Sequence, residues 1–92
     1  MKWRSIIQSD CETSYLSGRR GVLHKHHCLH GTANRKKAEE DGCYVMLTMD
    51  EHRRLHDTGD HDLELKQIAE RCWLEHYGTI DDFRQRYGVN YL

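Results

Sequence analysis

Apolar residues follow helical spacing most clearly in the second half of the chain. Over residues 62–77 they recur every three or four positions, and Gly78 follows directly. A second, shorter helix is predicted over residues 80–87, with Thr79 as its N-cap and Gly88 at its end. The pattern therefore predicts two consecutive helices that close the chain.

Short segments in the first half have the character of strands. Weak alternation over residues 3–7 predicts an edge strand, and residues 44–47 form a compact apolar strand. A glycine-containing turn at 17–21 separates two extended pieces, 15–16 and 22–24. We therefore expect short antiparallel strands.

Two further helices are predicted among these strands. A loop at 31–34 leads into a charged helix over residues 35–41, which Gly42 ends. Thr48 and Glu51 have the spacing of a capping box, so a helix is expected to begin directly after the apolar strand. Strands and helices that occur in this mixed order predict an α+β fold.

The composition sets the size and setting of the fold. The chain has 92 residues, of which 37% are hydrophobic and 32% charged, so we expect a single domain over residues 1–92 with a thin core. Domains of this size often need a metal, a disulfide or a partner for stability. No apolar run approaches about 18 residues, and the N-terminus lacks a signal-peptide pattern, so we expect a cytoplasmic protein that does not enter a membrane. Its four cysteines form no CxxC pair and are expected to be reduced.

Charge is divided along the chain. Residues 1–37 carry eight Lys or Arg and two Asp or Glu, a net charge of +6, whereas residues 38–92 carry six and thirteen, a net charge of −7. A basic half could follow a phosphate backbone, and an acidic half could face a basic partner protein. Solvated helix faces would give the same pattern.

Eight histidines are the strongest chemical signal. His26 and His27 are adjacent near the end of a predicted strand, and His52 and His56 are four residues apart on a predicted helix. Residues i and i+4 share a helix face, so both imidazoles can point at one ion. Three imidazoles with an open fourth position form a common catalytic metal site, and a neighbouring histidine can act as a base.

Three parts of the chain, residues 23–36, 47–56 and 63–92, resemble the small HNH-type proteins encoded by phages and prophages of Gram-positive bacteria. The resemblance rests mainly on the paired histidines and on the Ala-Asn-Arg-Lys sequence that follows them. It implies a ββα-metal core over residues 14–57, a C-terminal helical extension over 62–92, and a location in the host cytoplasm.

The resemblance also implies a reaction, the metal-dependent hydrolysis of DNA phosphodiester bonds. In that motif His26 binds the metal together with His52 and His56, His27 is the general base, and Asn34 orients it. Three imidazoles suit Zn²⁺ best, with Ni²⁺, Mn²⁺ and Mg²⁺ as further options. The following basic residues would hold DNA phosphates: Arg35, Lys36 and Lys37. Three residues near the predicted site are spare potential ligands: His30, Asp57 and His61.

The chain departs from the family at a second site. Many relatives bind a structural zinc through cysteines, whereas the matching positions here are Ser14, Ser17 and Thr48. We therefore expect the structural zinc to be absent. That departure and the acidic half favour an alternative function. In this alternative, the protein is a non-catalytic, zinc-binding phage protein that inhibits a host CRISPR effector nuclease by protein–protein binding.

Overall fold

A two-stranded antiparallel sheet and four helices make up the part of the chain that the computed structural model describes, residues 3–31 and 33–92. The strands are β1 (Leu23–His27) and β2 (Tyr44–Thr48), paired so that His27 lies opposite Tyr44. The helices are α1 (Asn34–Asp41), α2 (Met49–Thr58), α3 (Asp62–His76) and α4 (Ile80–Tyr87). The predicted α+β class is confirmed.

The order of the elements determines which of them surround the sheet. Helix α1 lies between the two strands in sequence, and α2 begins directly after β2. Helix α2 packs on both strands, while α1 packs on β1 and α4, and α3 packs on α4. The sheet is thus in contact with α2, and α1 joins it to the C-terminal helices.

Local signals set the boundaries of α2 and α4, and the end of α1, as predicted. Thr48 and Thr79 each accept a hydrogen bond from the backbone three residues on, within complete capping boxes. Gly42 and Gly88 end α1 and α4 in the left-handed conformation, which glycine adopts without steric cost.

Apolar side chains from β2 and from all four helices meet in one core. It includes Val45 and Leu47 of β2, Leu55 of α2, Leu65 of α3 and Phe83 of α4, each at most 3% exposed. Asp41, at the end of α1, lies at the edge of this core. Its carboxylate accepts hydrogen bonds from Nε1 of Trp73 and from the hydroxyl of Tyr87. It also accepts two from Arg86, one from Nε and one from a terminal guanidinium nitrogen.

The strand predicted at residues 3–7 is wrong. The Ser5 hydroxyl accepts hydrogen bonds from the amides of Ile7 and Gln8, which holds this segment in bends. The same hydroxyl donates to the carbonyl of Tyr44, so the segment still lies beside β2. The Ser5 side chain thus takes up nearby backbone amides that would otherwise be free for regular strand pairing.

The extended piece predicted at residues 15–16 is wrong as well, because these residues form a turn. The Tyr15 amide donates to the Met46 carbonyl, and the Gln8 side chain accepts from the Met46 amide. Loop groups therefore satisfy the outer edge of β2 in place of a third strand. Thr32 of the predicted loop lies outside the described residues. Within the described ranges, no helix is both long and apolar enough to cross a membrane.

Candidate metal centre

Strand alternation divides the residues of β1 between two faces. His24 and His26 lie toward α2, with ring centroids 5.6 and 5.2 Å from that of His52. Lys25 and His27 lie on the opposite face, both against the ring of Tyr44. The adjacent histidines of the sequence therefore occupy different surroundings.

Helix α2 supplies two more imidazoles. His52 and His56 are one turn apart, and their Nε2 atoms are 3.0 Å apart. Together with His26 they form a group in which one ligand nitrogen from each residue lies within 4.8 Å of the others. The direct connection from β2 into α2 through the Thr48 cap places this helix face against β1.

We call the three imidazoles of His26, His52 and His56 the tripod. The His26 side chain is its buried member. It is 2% exposed, and its Nε2 has no hydrogen-bond partner among the described residues. An unpaired buried polar atom is costly unless something satisfies it. A metal ion would do so, and the donor set of three imidazoles suits one. The cluster of His26, His52 and His56 could hold a metal ion.

Burial and neighbouring imidazoles favour the neutral form of two of these side chains, His26 and His52. Burial lowers the pKa of His26 to about 3, with further lowering from His52, His30 and His56. Burial also lowers the pKa of His52, with contributions from His56 and His24. A neutral imidazole has the free lone pair that a metal needs, so these two side chains could bind an ion at neutral pH without first losing a proton.

His24 lies next to His52, on the side of that ring away from His56. Its Nδ1 is 3.4 Å from Nδ1 of His52, while Nε2 of His52 is the atom near His56. Ligand histidines commonly use their second ring nitrogen in a hydrogen bond that fixes the ring. His24 is thus placed to orient His52.

His27 pairs with a residue that the sequence did not suggest. Its Nε2 is 2.7 Å from Oε1 of Glu39 on α1, and the hydrogen bond from His27 is the main reason that the pKa of Glu39 is lowered. The amide of Asn34 instead donates to the Tyr87 carbonyl at 3.0 Å. The structure therefore brings Glu39 to His27 and directs Asn34 toward α4.

The three basic residues of α1 are placed differently. Arg35 lines the tripod cavity and an adjoining cavity beside His27, and Lys36 lines the adjoining one. Lys37 donates to the Arg86 carbonyl at 2.6 Å, on the side of α4. Two of the three thus lie near the imidazoles.

The spare potential ligands are separated in the same way. His30 lines the cavity, and its Nε2 is 2.8 Å from Oδ1 of Asp62. His61 is exposed and contacts Glu64 at 3.1 Å, and Asp57 is exposed on α2. Of the three, His30 borders the tripod.

Hydroxyl groups and a carboxylate occupy the second site. The Ser14 hydroxyl donates to Oε1 of Glu51 at 2.5 Å, and the Thr48 amide donates to the same oxygen at 2.8 Å. Burial raises the pKa of Glu51, but hydrogen bonds from Ser14, Ser17 and Thr48 outweigh burial and lower it overall. A charged carboxylate thus joins the loop at 14–17 to the start of α2.

No family model, curated protein or solved structure matches the chain in comparisons with known proteins. Two residues of the site, Glu39 and Asp62, carry no local sequence signal of a role, since each meets its histidine only through the packing of α1 or α3. The Glu51 network did have a signal, the capping-box spacing from Thr48.

Proposed function

We propose that the protein is a metal-dependent nuclease of the HNH type, which hydrolyses phosphodiester bonds in DNA. One observation carries this proposal: a single cavity of about 420 Å³ is lined by the imidazole tripod, by His27 and by Arg35. A metal site, a base and a phosphate-binding cation that border one cavity are the groups that this reaction requires.

His26, His52 and His56 would hold the ion, and their nitrogen donors favour Zn²⁺, with Ni²⁺, Mn²⁺ and Mg²⁺ as alternatives. A bound divalent ion would stabilise the negative charge that develops on the phosphate and its leaving oxygen. The antiparallel pair β1–β2 followed by α2 supports the ββα-metal assignment, because the tripod joins the strand to the helix.

His27 is the general base in this proposal. When its Nε2–H donates to Glu39, Nδ1 is the unprotonated nitrogen and can accept a proton from water. Glu39, rather than Asn34, would orient this ring and stabilise its protonated form. Arg35 and Lys36 would contact backbone phosphates on either side of the reacting one.

Plasmid nicking in the presence of Zn²⁺, Ni²⁺, Mn²⁺ or Mg²⁺ tests this proposal. We expect His27→Ala to retain its metal and lose cleavage by about a hundredfold or more, because a base contributes to proton transfer only. His56→Ala should lose both metal and cleavage. Equal metal loss in the two variants would mean that the roles of His26 and His27 are assigned in the wrong order.

Glu39→Gln separates the orienting role from simple charge loss. We expect cleavage to fall about tenfold or more with the metal content unchanged, as for other partners that orient a catalytic histidine. Glu40→Gln is the matched control, since Glu40 is adjacent but contacts Arg86 on α4. Equal losses in both variants would contradict the role of Glu39.

The exposed acidic residues Asp57, Asp60 and Glu64 favour a second function, the inhibition of a host CRISPR effector nuclease by binding. Such binding would survive His27→Ala, because a general base adds nothing to a docking surface. Reversing these three charges should slow association and change its salt dependence. A folded, metal-loaded His27→Ala protein that loses all biological effect would exclude this function.

A further inference from the structure

His30 lies at the edge of the tripod with one ring nitrogen already engaged. Its Nε2 meets Oδ1 of Asp62 at 2.8 Å, and Oδ2 of Asp62 meets Nζ of Lys66 at 2.8 Å. Among the described residues, Nδ1 of His30 has no hydrogen-bond partner. An imidazole held by a carboxylate through one nitrogen, with the other nitrogen free, is the usual arrangement of a metal-ligating histidine.

The His30 ring lies near two rings of the tripod, those of His26 and His56. Four imidazoles that bind a tetrahedral ion at about 2.0–2.1 Å have ring centroids about 5.2 Å apart. Within the tripod the centroids are 5.2, 5.7 and 4.7 Å apart. The His30 centroid is 6.0 Å from that of His26 and 5.9 Å from that of His56, slightly farther out than the tripod spacing.

A small movement would close the gap to these two rings. His30 follows β1 in the loop before α1, and its side chain is 36% exposed, so it is not packed on all sides. Displacements of about 0.9 Å are ordinary for well-ordered groups. The loop position and the remaining distance are therefore compatible with binding by Nδ1.

We propose that His30, oriented by Asp62, is the fourth ligand of the metal ion in the substrate-free protein. The inference rests on the metal site of the proposed function and adds to it a regulatory property. Structural sites are closed by four protein ligands, whereas catalytic sites keep one position open. Bound as the fourth ligand, His30 would close the site at rest, and a phosphate oxygen would have to displace it to restore the open position.

NMR of nitrogen-labelled protein loaded with an NMR-active cadmium isotope tests the proposal. Scalar coupling to the metal identifies each ligating imidazole directly, without an activity measurement. We expect coupling to His26, His52, His56 and His30. Coupling to the first three alone would overturn the proposal and leave the nuclease function intact. The wild-type measurement needs no variant, so it decides the matter even if a substitution impairs folding.

Zn²⁺ affinity, measured by competition with a chelator, gives a second test. We expect His30→Ala to weaken binding at least tenfold and Asp62→Asn about tenfold, because ligands and the partners that orient them both contribute to metal affinity. His61→Asn is the control, since it removes an exposed imidazole next to Asp62 and Asn tolerates the left-handed backbone there. Its affinity should change less than about twofold, and a loss equal to that of His30→Ala would contradict the proposal.

Failure of this inference differs from failure of the proposed function. Absence of metal binding in the wild-type protein would contradict both. Four coupled imidazoles without any DNA cleavage would support the role of His30 and contradict the nuclease. Circular dichroism of each variant shows whether a loss of affinity follows from unfolding.

Discussion

His26 and His27 show how a single residue step changes the chemistry of a side chain. On a strand, neighbours point to opposite faces, so His26 is buried against α2 and His27 meets Glu39 of α1. Nε2 of the buried imidazole has no hydrogen-bond partner in the described part of the chain, and the other imidazole pairs with a carboxylate. Their different surroundings fit the two proposed roles, metal ligand for His26 and general base for His27.

The cysteines also differ residue by residue. Cys28 and Cys43 are fully buried, and burial raises the pKa of both thiols, that of Cys43 to about 12. Because the thiolate is the reactive form, we expect both to resist alkylation at pH 8 in the native protein. Cys11 is exposed and should react. Mass spectrometry after brief iodoacetamide treatment measures this, and labelling of Cys28 or Cys43 before unfolding would contradict it.

At the scale of elements, α1 and α2 each end at a glycine. The two glycines have nearly the same backbone conformation but different surroundings. Gly42, after α1, has φ +80°, and a Cβ there would meet the carbonyl oxygen of Arg4. Gly59, after α2, has φ +79° and open space around it. The same substitution therefore separates backbone strain from steric overlap.

We expect Gly42→Ala to lower the free energy of unfolding by about 2 kcal/mol or more, through left-handed strain plus the overlap with Arg4. Gly59→Ala should cost about 1 kcal/mol, through the strain alone. Urea unfolding measures both values. Equal losses would show that the chain near Arg4 moves aside without cost.

Helix α4 depends on a carboxylate at its first turn. Hydrogen bonds from the backbone and side chain of Thr79 hold the pKa of Asp82 below its ordinary value of 3.8. A lowered pKa means that the charged form stabilises the fold above pH 3.8 and that this stability is lost as pH falls through the lowered value. We expect Asp82→Asn to melt below the wild type at neutral pH.

The difference should shrink as the pH falls from 3.8 through the lowered pKa, because the wild-type carboxylate then loses its charge and resembles the neutral asparagine. Melting temperatures of the two proteins over the acidic range measure it. Asp81→Asn, which changes a neighbouring exposed charge outside the capping box, is the control. A difference independent of pH would assign the effect to something other than this carboxylate.

At the scale of the whole molecule, the C-terminal helices hold α1 in position. Asp41 accepts hydrogen bonds from Trp73 of α3 and from Arg86 and Tyr87 of α4. The same α1 provides Glu39 to His27 and Arg35 to the cavity. Helices α3 and α4 thus contribute to the site by fixing the helix that borders it.

Metal binding should also stabilise the molecule as a whole, because the tripod joins β1 to α2. An ion that binds only the folded state at a hundred times its Kd adds about 2.7 kcal/mol. For a chain of this size we expect the melting temperature to rise by about 10 °C or more on loading with Zn²⁺. Calorimetry before and after chelation measures the shift. A His56→Ala protein should show little or none, and a wild type indifferent to chelator would contradict the metal site.

Local signals in the sequence determined most of the secondary structure. Capping boxes at Thr48 and Thr79 and a C-terminal glycine at Gly42 act within one turn of helix, so the boundaries of α1, α2 and α4 could be predicted without knowing what packs on them. The pairing of His52 with His56 is equally local, because helix geometry alone brings residues i and i+4 together. The failed strand at residues 3–7 shows the limit of alternation where a serine competes for backbone amides.

The tertiary structure decided which distant groups meet the histidines. Glu39 reaches His27, Asp62 reaches His30, and Asn34 turns to Tyr87, across separations of 12, 32 and 53 residues in the chain. No periodic pattern encodes these contacts, because each depends on how α1, α3 and α4 pack around the sheet. The three imidazoles follow from short-range geometry and one strand–helix contact, whereas the groups that orient and surround them depend on the packing of the whole chain.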